Sequence, residues 1–125
     1  MIVKTIKYKK VEEVPVWGKS HQMTLLIYKE TSKFPKGEIY GITSQLRRAA
    51  SSVTANITEG FYKGSAKQLL QFLFNARGSL GEVMYFLRLS KDLGYLSLSN
   101  YNMLDKICSS VGKQLNGWIK SLKLK

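Results

Sequence analysis

The sequence predicts an all-α domain, an up-down-up-down antiparallel four-helix bundle, and three observations carry that reading. Apolar residues recur at steps of three and four through four long segments. The breaks between segments are short, which makes consecutive helices antiparallel neighbours. Only two prolines occur, Pro15 and Pro35, and both fall at segment edges. A chain of 125 residues with 44% hydrophobic content is one domain able to bury a core unaided.

Residues 1–14 read as a basic N-terminal tail, extended onto a partner as a strand or mobile, ahead of a bundle domain over 15–125. In the first helix, over about 17–33, Trp17, His21, Thr24 or Leu25, and Tyr28 recur at helical spacing and are expected to face inward. The turn "KFPKGE" leads to a second helix with Ile39, Ile42, Leu46, Ala49, Val53, Ile57 and Phe61 on one face. "YKGSAK" ends it, with Gly64 placed as a C-terminal cap and Ser65 as the next N-cap. The third helix runs to about Leu93 on Leu69, Phe72, Ala76, Leu80, Val83 and Leu87. After the break "DLGYLSLSN", the fourth places Leu98, Tyr101, Leu104, Cys108, Val111, Leu115, Trp118 and Leu122 inward. "QLLQFLFN" is apolar on nearly every side, so Leu70 and Phe74, off the core stripe, are expected to meet another subunit.

Charge is the unusual property. Lys and Arg total 20 against 8 Asp and Glu, a net +12. Such an excess implies a polyanionic partner: RNA, DNA or an acidic membrane surface. The apolar faces look committed to a core, which argues against the membrane. Lys106, Lys113 and Lys120 are seven apart and share a helical face, and no acid occurs from residue 106 to the end, where Lys123 and Lys125 add charge. A second acid-free stretch between Glu59 and Glu82 holds Lys63, Lys67 and Arg77, and Lys4, Lys7, Lys9 and Lys10 form a third cluster. Phosphate contact, positioning rather than base-reading, is the expected use. Glu59 can pair with Lys63 at i,i+4. Arg48 must find Glu82, another subunit or a phosphate. Ser52, Asn56, Glu59, Ser79 and Glu82 are expected to form a polar layer between helices two and three.

Catalysis is not expected. The lone His21 reads as a packed or interface residue, and one His, one Cys and scattered acids show no metal-ligand spacing. No phosphate-binding loop, catalytic triad or cofactor motif is present. A single cysteine and an N-terminus without a signal-peptide core predict a cytoplasmic protein. No apolar run is long enough to span a membrane.

"FPKGEIYGITSQLRRAASSVTANITEG" followed by "FLFNARGSLGEVMYFLRLSKDLGYL" resembles the four-helix-bundle proteins of intervening sequences in bacterial large-subunit ribosomal RNA genes. Avd, the accessory protein of diversity-generating retroelements, is part of that family. The resemblance spans about residues 15 to 122, and the ends "VPVWGKSHQ" and "LNGWIKSLK" are closer to Avd. It implies a homopentameric barrel of bundles, and the residues themselves lead to the expectation of no cofactor and no metal. It also implies a non-enzymatic role, scaffolding a reverse transcriptase and its template RNA, or else a stand-alone ribosomal RNA role. Arg47 and Arg48 match the family motif and join the lysines as nucleic-acid contacts; Trp17, His21, Leu70 and Phe74 are the candidate oligomer contacts. Thr54 stands where many relatives carry proline, so the second helix is expected to be straighter.

Overall fold

A computed structural model describes residues 7–124 of the chain. Among them are four α-helices and no strand: α1 (Pro15–Thr31), α2 (Ile42–Tyr62), α3 (Ala66–Asp92) and α4 (Leu98–Lys123). Short 3-10 turns at Val11–Glu13 and Lys36–Glu38 precede α1 and α2. Each helix packs on its chain neighbour, and α4 closes back onto α1. That is the contact pattern of a four-helix bundle, as the periodicity predicts.

The helix boundaries follow from local chemistry. Pro15 opens α1, where its missing N–H costs nothing. Gly64 ends α2 with φ 82°, a left-handed conformation that suits glycine, and Gly94 does the same after α3 with φ 81°. Ser65 and Ser97 cap α3 and α4, accepting from the backbone N–H of Gln68 and Asn100. The Tyr95 hydroxyl then donates to the Glu38 carboxylate at 2.8 Å, tying the α3–α4 turn to the α1–α2 connection.

The core stripes of α2, α3 and α4 hold as expected, with Leu46, Val53, Ile57, Leu69, Leu80, Val83, Leu104, Cys108 and Leu115 buried. Ile119, unassigned from the sequence, is buried as well. Six expected core residues are not: Ile39 and Leu98 are 48% and 64% exposed, because the stripes begin at Ile42 and Leu104, and the bulky Phe61, Phe72, Tyr101 and Trp118 are half-buried at the stripe edges.

Helix α1 is turned by about one residue from expectation. Val16, Ser20, Met23, Thr24 and Ile27 face the core, whereas His21, Leu25 and Tyr28 are exposed and Trp17 is half-buried. The reason is polar packing against α2. The Thr54 hydroxyl donates to Ser20 Oγ at 3.0 Å, and Thr24 Oγ1 lies within hydrogen-bond distance of the Ser20 and Ala50 carbonyls. Small hydroxyl side chains let the two helices approach closely while satisfying each other.

The basic-tail reading also changes. Residues 1–6, including Lys4, and Lys125 lie outside the described residues. Residues 11–14, expected in an extended or mobile tail, instead belong to the folded body: Val11 and Val14 are 3% and 4% exposed. The Val11 N–H donates to the Tyr62 hydroxyl at 3.3 Å, and Glu13 accepts from the backbone N–H of Lys9.

Candidate nucleic-acid interface

Helix α4 has two flanks with opposite character. On one, Gln114, Gly117, Trp118 and Ser121 line an apolar groove with Val14–Val16 at the start of α1. On the other, Lys106, Lys113, Asn116, Lys120 and Lys123 are all exposed. By the 3.6-residue period Asn116 and Lys123 lie on the flank that faces α3, and Lys106, Lys113 and Lys120 run beside them on the outward surface of α4. The only acid of α4, Asp105, sits at the far end of this stripe.

Two contacts fix the stripe to α3. Arg77 donates to Asn116 Oδ1 at 3.1 Å, and the Lys123 ammonium lies 5.3 Å from the centre of the Phe74 ring. The Arg77 guanidinium sits 5.2 Å from the same ring. Antiparallel packing therefore joins the acid-free part of α3, with Lys67, Leu70, Phe74 and Arg77, to the acid-free end of α4. Gly78 and Gly81, exposed on α3, have open space around them and leave the surface between the cations low.

The ion pairs lie elsewhere. Lys33 pairs with Glu30, Lys63 with Glu59, and Arg88 and Lys91 with Asp92. Among the described residues, Lys67, Arg77, Lys106, Lys113, Lys120 and Lys123 have no carboxylate within salt-bridge distance. The cations of the α3–α4 face thus keep their charge unbalanced, the condition for attracting phosphates.

Three sequence-derived phosphate contacts lie elsewhere. Arg47 is a clamp between helices: its Nε donates to Thr31 Oγ1 at 2.8 Å and its NH2 to the Tyr28 carbonyl at 3.3 Å. The guanidinium also lies 4.6 Å from the centre of the Tyr28 ring. Two of its five N–H donors thus go to α1, which gives Arg47 a structural tie between α1 and α2. Arg48, exposed, lines a polar groove of about 250 Å³ with Gln45, Ala49, Ser52 and Glu82 between α2 and α3. Lys63 makes the expected pair with Glu59 at 3.8 Å and lies 5.6 Å from the Phe72 ring centre. Arg88, unassigned from the sequence, shares the α4-facing flank of α3 with Arg77; its place eleven residues on was the available signal.

The polar layer between α2 and α3 forms in part. Ser52 and Ser79 hydroxyls meet at 2.9 Å, and Asn56 Nδ2 donates to the Ser52 carbonyl at 2.8 Å. Glu59 turns to Lys63, and Glu82 is exposed at the groove. Of the candidate oligomer contacts, Trp17 donates through Nε1 to Thr58 Oγ1 at 2.9 Å and stacks on exposed His21, ring centres 5.0 Å apart. Leu70 and Phe74 are half-buried against the chain's own core.

The nucleophile-class side chains are not assembled. Cys108 is buried, with its Sγ 3.6 Å from Met23 Sδ, and burial, followed by the charge of Asp105, pushes its thiol up to about 12. A thiol held protonated in a dry core is inert. No group of three or more His, Cys, Asp or Glu capable of holding a metal occurs among the described residues. No helix among them is long and apolar enough to cross a membrane.

Comparison with known proteins identifies the fold and the family. No curated protein matches the chain. A crystal structure of a protein of unknown function from the S23 ribosomal protein family of Bacteroides thetaiotaomicron is similar, with a TM-score of 0.78 and 23% identity. The similarity covers 84% of this chain and 95% of that one, so the two share the bundle fold. The family model described as 23S rRNA-intervening sequence protein matches residues 12–117, nearly the whole bundle. The chain therefore belongs to the 23S rRNA-intervening sequence protein family.

Proposed function

We propose that this chain is a non-enzymatic RNA-binding bundle that holds RNA phosphates on its α3–α4 face. The carrying observation is the absence of carboxylate partners for Lys67, Arg77, Lys106, Lys113, Lys120 and Lys123 among the described residues. Cations on a rigid face attract a phosphate chain and release its counterions, which supplies affinity without reading sequence. The family is named for 23S rRNA intervening sequences, and ribosomal RNA is the RNA this reading takes as partner. That name favours it over the retroelement reading, in which the same face would hold a template RNA beside a reverse transcriptase.

Photo-cross-linking of bound RNA followed by peptide mapping tests the assignment of the face. Cross-links are expected on peptides from α3 and α4. Cross-links concentrated on α1, or around Arg48 and Glu82, would move the site elsewhere.

We also propose that the chain self-associates, through the outward stripe of α1 at Trp17, His21, Leu25 and Tyr28. Leu25 is 57% exposed and Tyr28 44%, and an apolar stripe of this kind suits burial against another copy. Light scattering should return a multiple of the 14.2 kDa chain mass, five copies for the pentamer that the family resemblance implies; a 14.2 kDa particle would end the idea.

A further inference from the structure

Phe74 occupies a position unlike that of any other ring on the helices. Its half-buried ring has the Arg77 guanidinium 5.2 Å and the Lys123 ammonium 5.3 Å from its centre. The other cation–ring pairs on the helices are already occupied. Lys63, over Phe72, and Lys91, over Tyr101, are each paired with a carboxylate. Arg47, over Tyr28, is tied to α1 by two hydrogen bonds. Phe74 alone has two cations free of carboxylate partners among the described residues. Open space at Gly78 and Gly81 lies beside it on the same helix.

From this arrangement, and resting on the RNA-binding reading above, we propose that Phe74 is a stacking platform for an unpaired base. It would make the α3–α4 face selective for single-stranded RNA. A base has a π face that matches the ring, and its two flanking phosphates match the two cations. Lys123 sits on an exposed, flexible stem at the end of α4, so it can leave the ring for a phosphate as the base takes its place. Arg77, held by Asn116, stays and keeps one cation fixed at the ring. A duplex keeps its bases stacked inside and offers this ring nothing, so it would bind through phosphates alone. A second copy of the chain suits the patch poorly, because a symmetric contact there would bring Arg77 and Lys123 of both copies together.

The test measures affinity for a single-stranded RNA of about 12 nucleotides, within the usual site size of a stacking groove, against a duplex of the same length. Wild type should prefer the single strand. Phe74→Leu should weaken single-strand binding roughly tenfold without changing its salt dependence, since a stack contributes no counterion release. Phe74→Trp should restore it, and Tyr85→Leu, an exposed ring elsewhere on α3, should have no effect. A 2-aminopurine set among uridines should lose fluorescence when wild type binds, a readout that needs no variant to fold. Unquenched fluorescence at saturation, or a Phe74→Leu protein that binds like wild type, overturns the stacking while leaving phosphate binding intact. Wild type with no affinity for either RNA removes both.

Discussion

Gly60→Ala is expected to destabilise the bundle by about 2 kcal/mol, even though alanine favours a helix over glycine by ~1 kcal/mol. A Cβ at Gly60 would lie 2.7 Å from Phe72 Cβ and 3.2 Å from Leu69 Cδ1. The first of these atoms is fixed to the α3 backbone, so relief requires α2 and α3 to move apart. They cannot do so cheaply, because Leu69 and Ile57 are fully packed in the same interface region. Gly81→Ala supplies the opposite sign. Nothing lies within 4 Å of a Cβ there, so the propensity gain of about 0.5–1 kcal/mol should appear as added stability. Thermal unfolding should place the two variants on either side of wild type, Gly60→Ala lower by roughly 8 °C. Two variants shifting the same way would mean that α2 and α3 are not in close contact at Gly60.

The triple substitution Lys113→Gln, Lys120→Gln and Lys123→Gln is expected to weaken RNA binding by roughly sixtyfold at about 0.15 M salt. Each phosphate contact to a single strand contributes about 0.7 to the salt slope, or about fourfold in affinity at that salt. Three such contacts multiply. The three lysines are exposed and have no acid partner among the described residues, so their removal should leave the fold intact. A matching triple at Lys29, Lys33 and Lys36, near the end of α1, removes equal charge from another surface. It should cost less than about fivefold, since charges more than a Debye length from the RNA are largely screened. Equal losses for the two triples would assign binding to net charge rather than to a face.

What the sequence could and could not say has physical reasons. Ser65 and Gly64 were legible because capping is local: a hydroxyl three residues ahead of an N–H, and one left-handed residue. The lysine stripe of α4 was legible because a seven-residue spacing fixes a common face. The facing of α1 was not. That helix carries two competing apolar stripes, and the choice between them depends on Thr54 reaching Ser20 from another helix. Arg47 and Arg48 are adjacent and chemically alike, so only the position of Thr31 reveals that one is a clamp and the other lines a groove. Thr54 itself, noted for replacing a proline, proves to be a hydrogen-bonding residue of the α1–α2 interface. The setting of Phe74 was hidden for the same reason. Lys123 and Asn116 come to it across the bundle, and nothing along the chain places them there.

The most direct measurement is the RNA affinity of wild type and the Lys113/Lys120/Lys123 triple variant across a salt series. Log affinity should fall linearly with log salt, with a wild-type slope of about −4 for the six cations and a variant slope shallower by about 2. A flat wild-type slope, or parallel lines for the two proteins, would contradict the claim that these side chains meet phosphates.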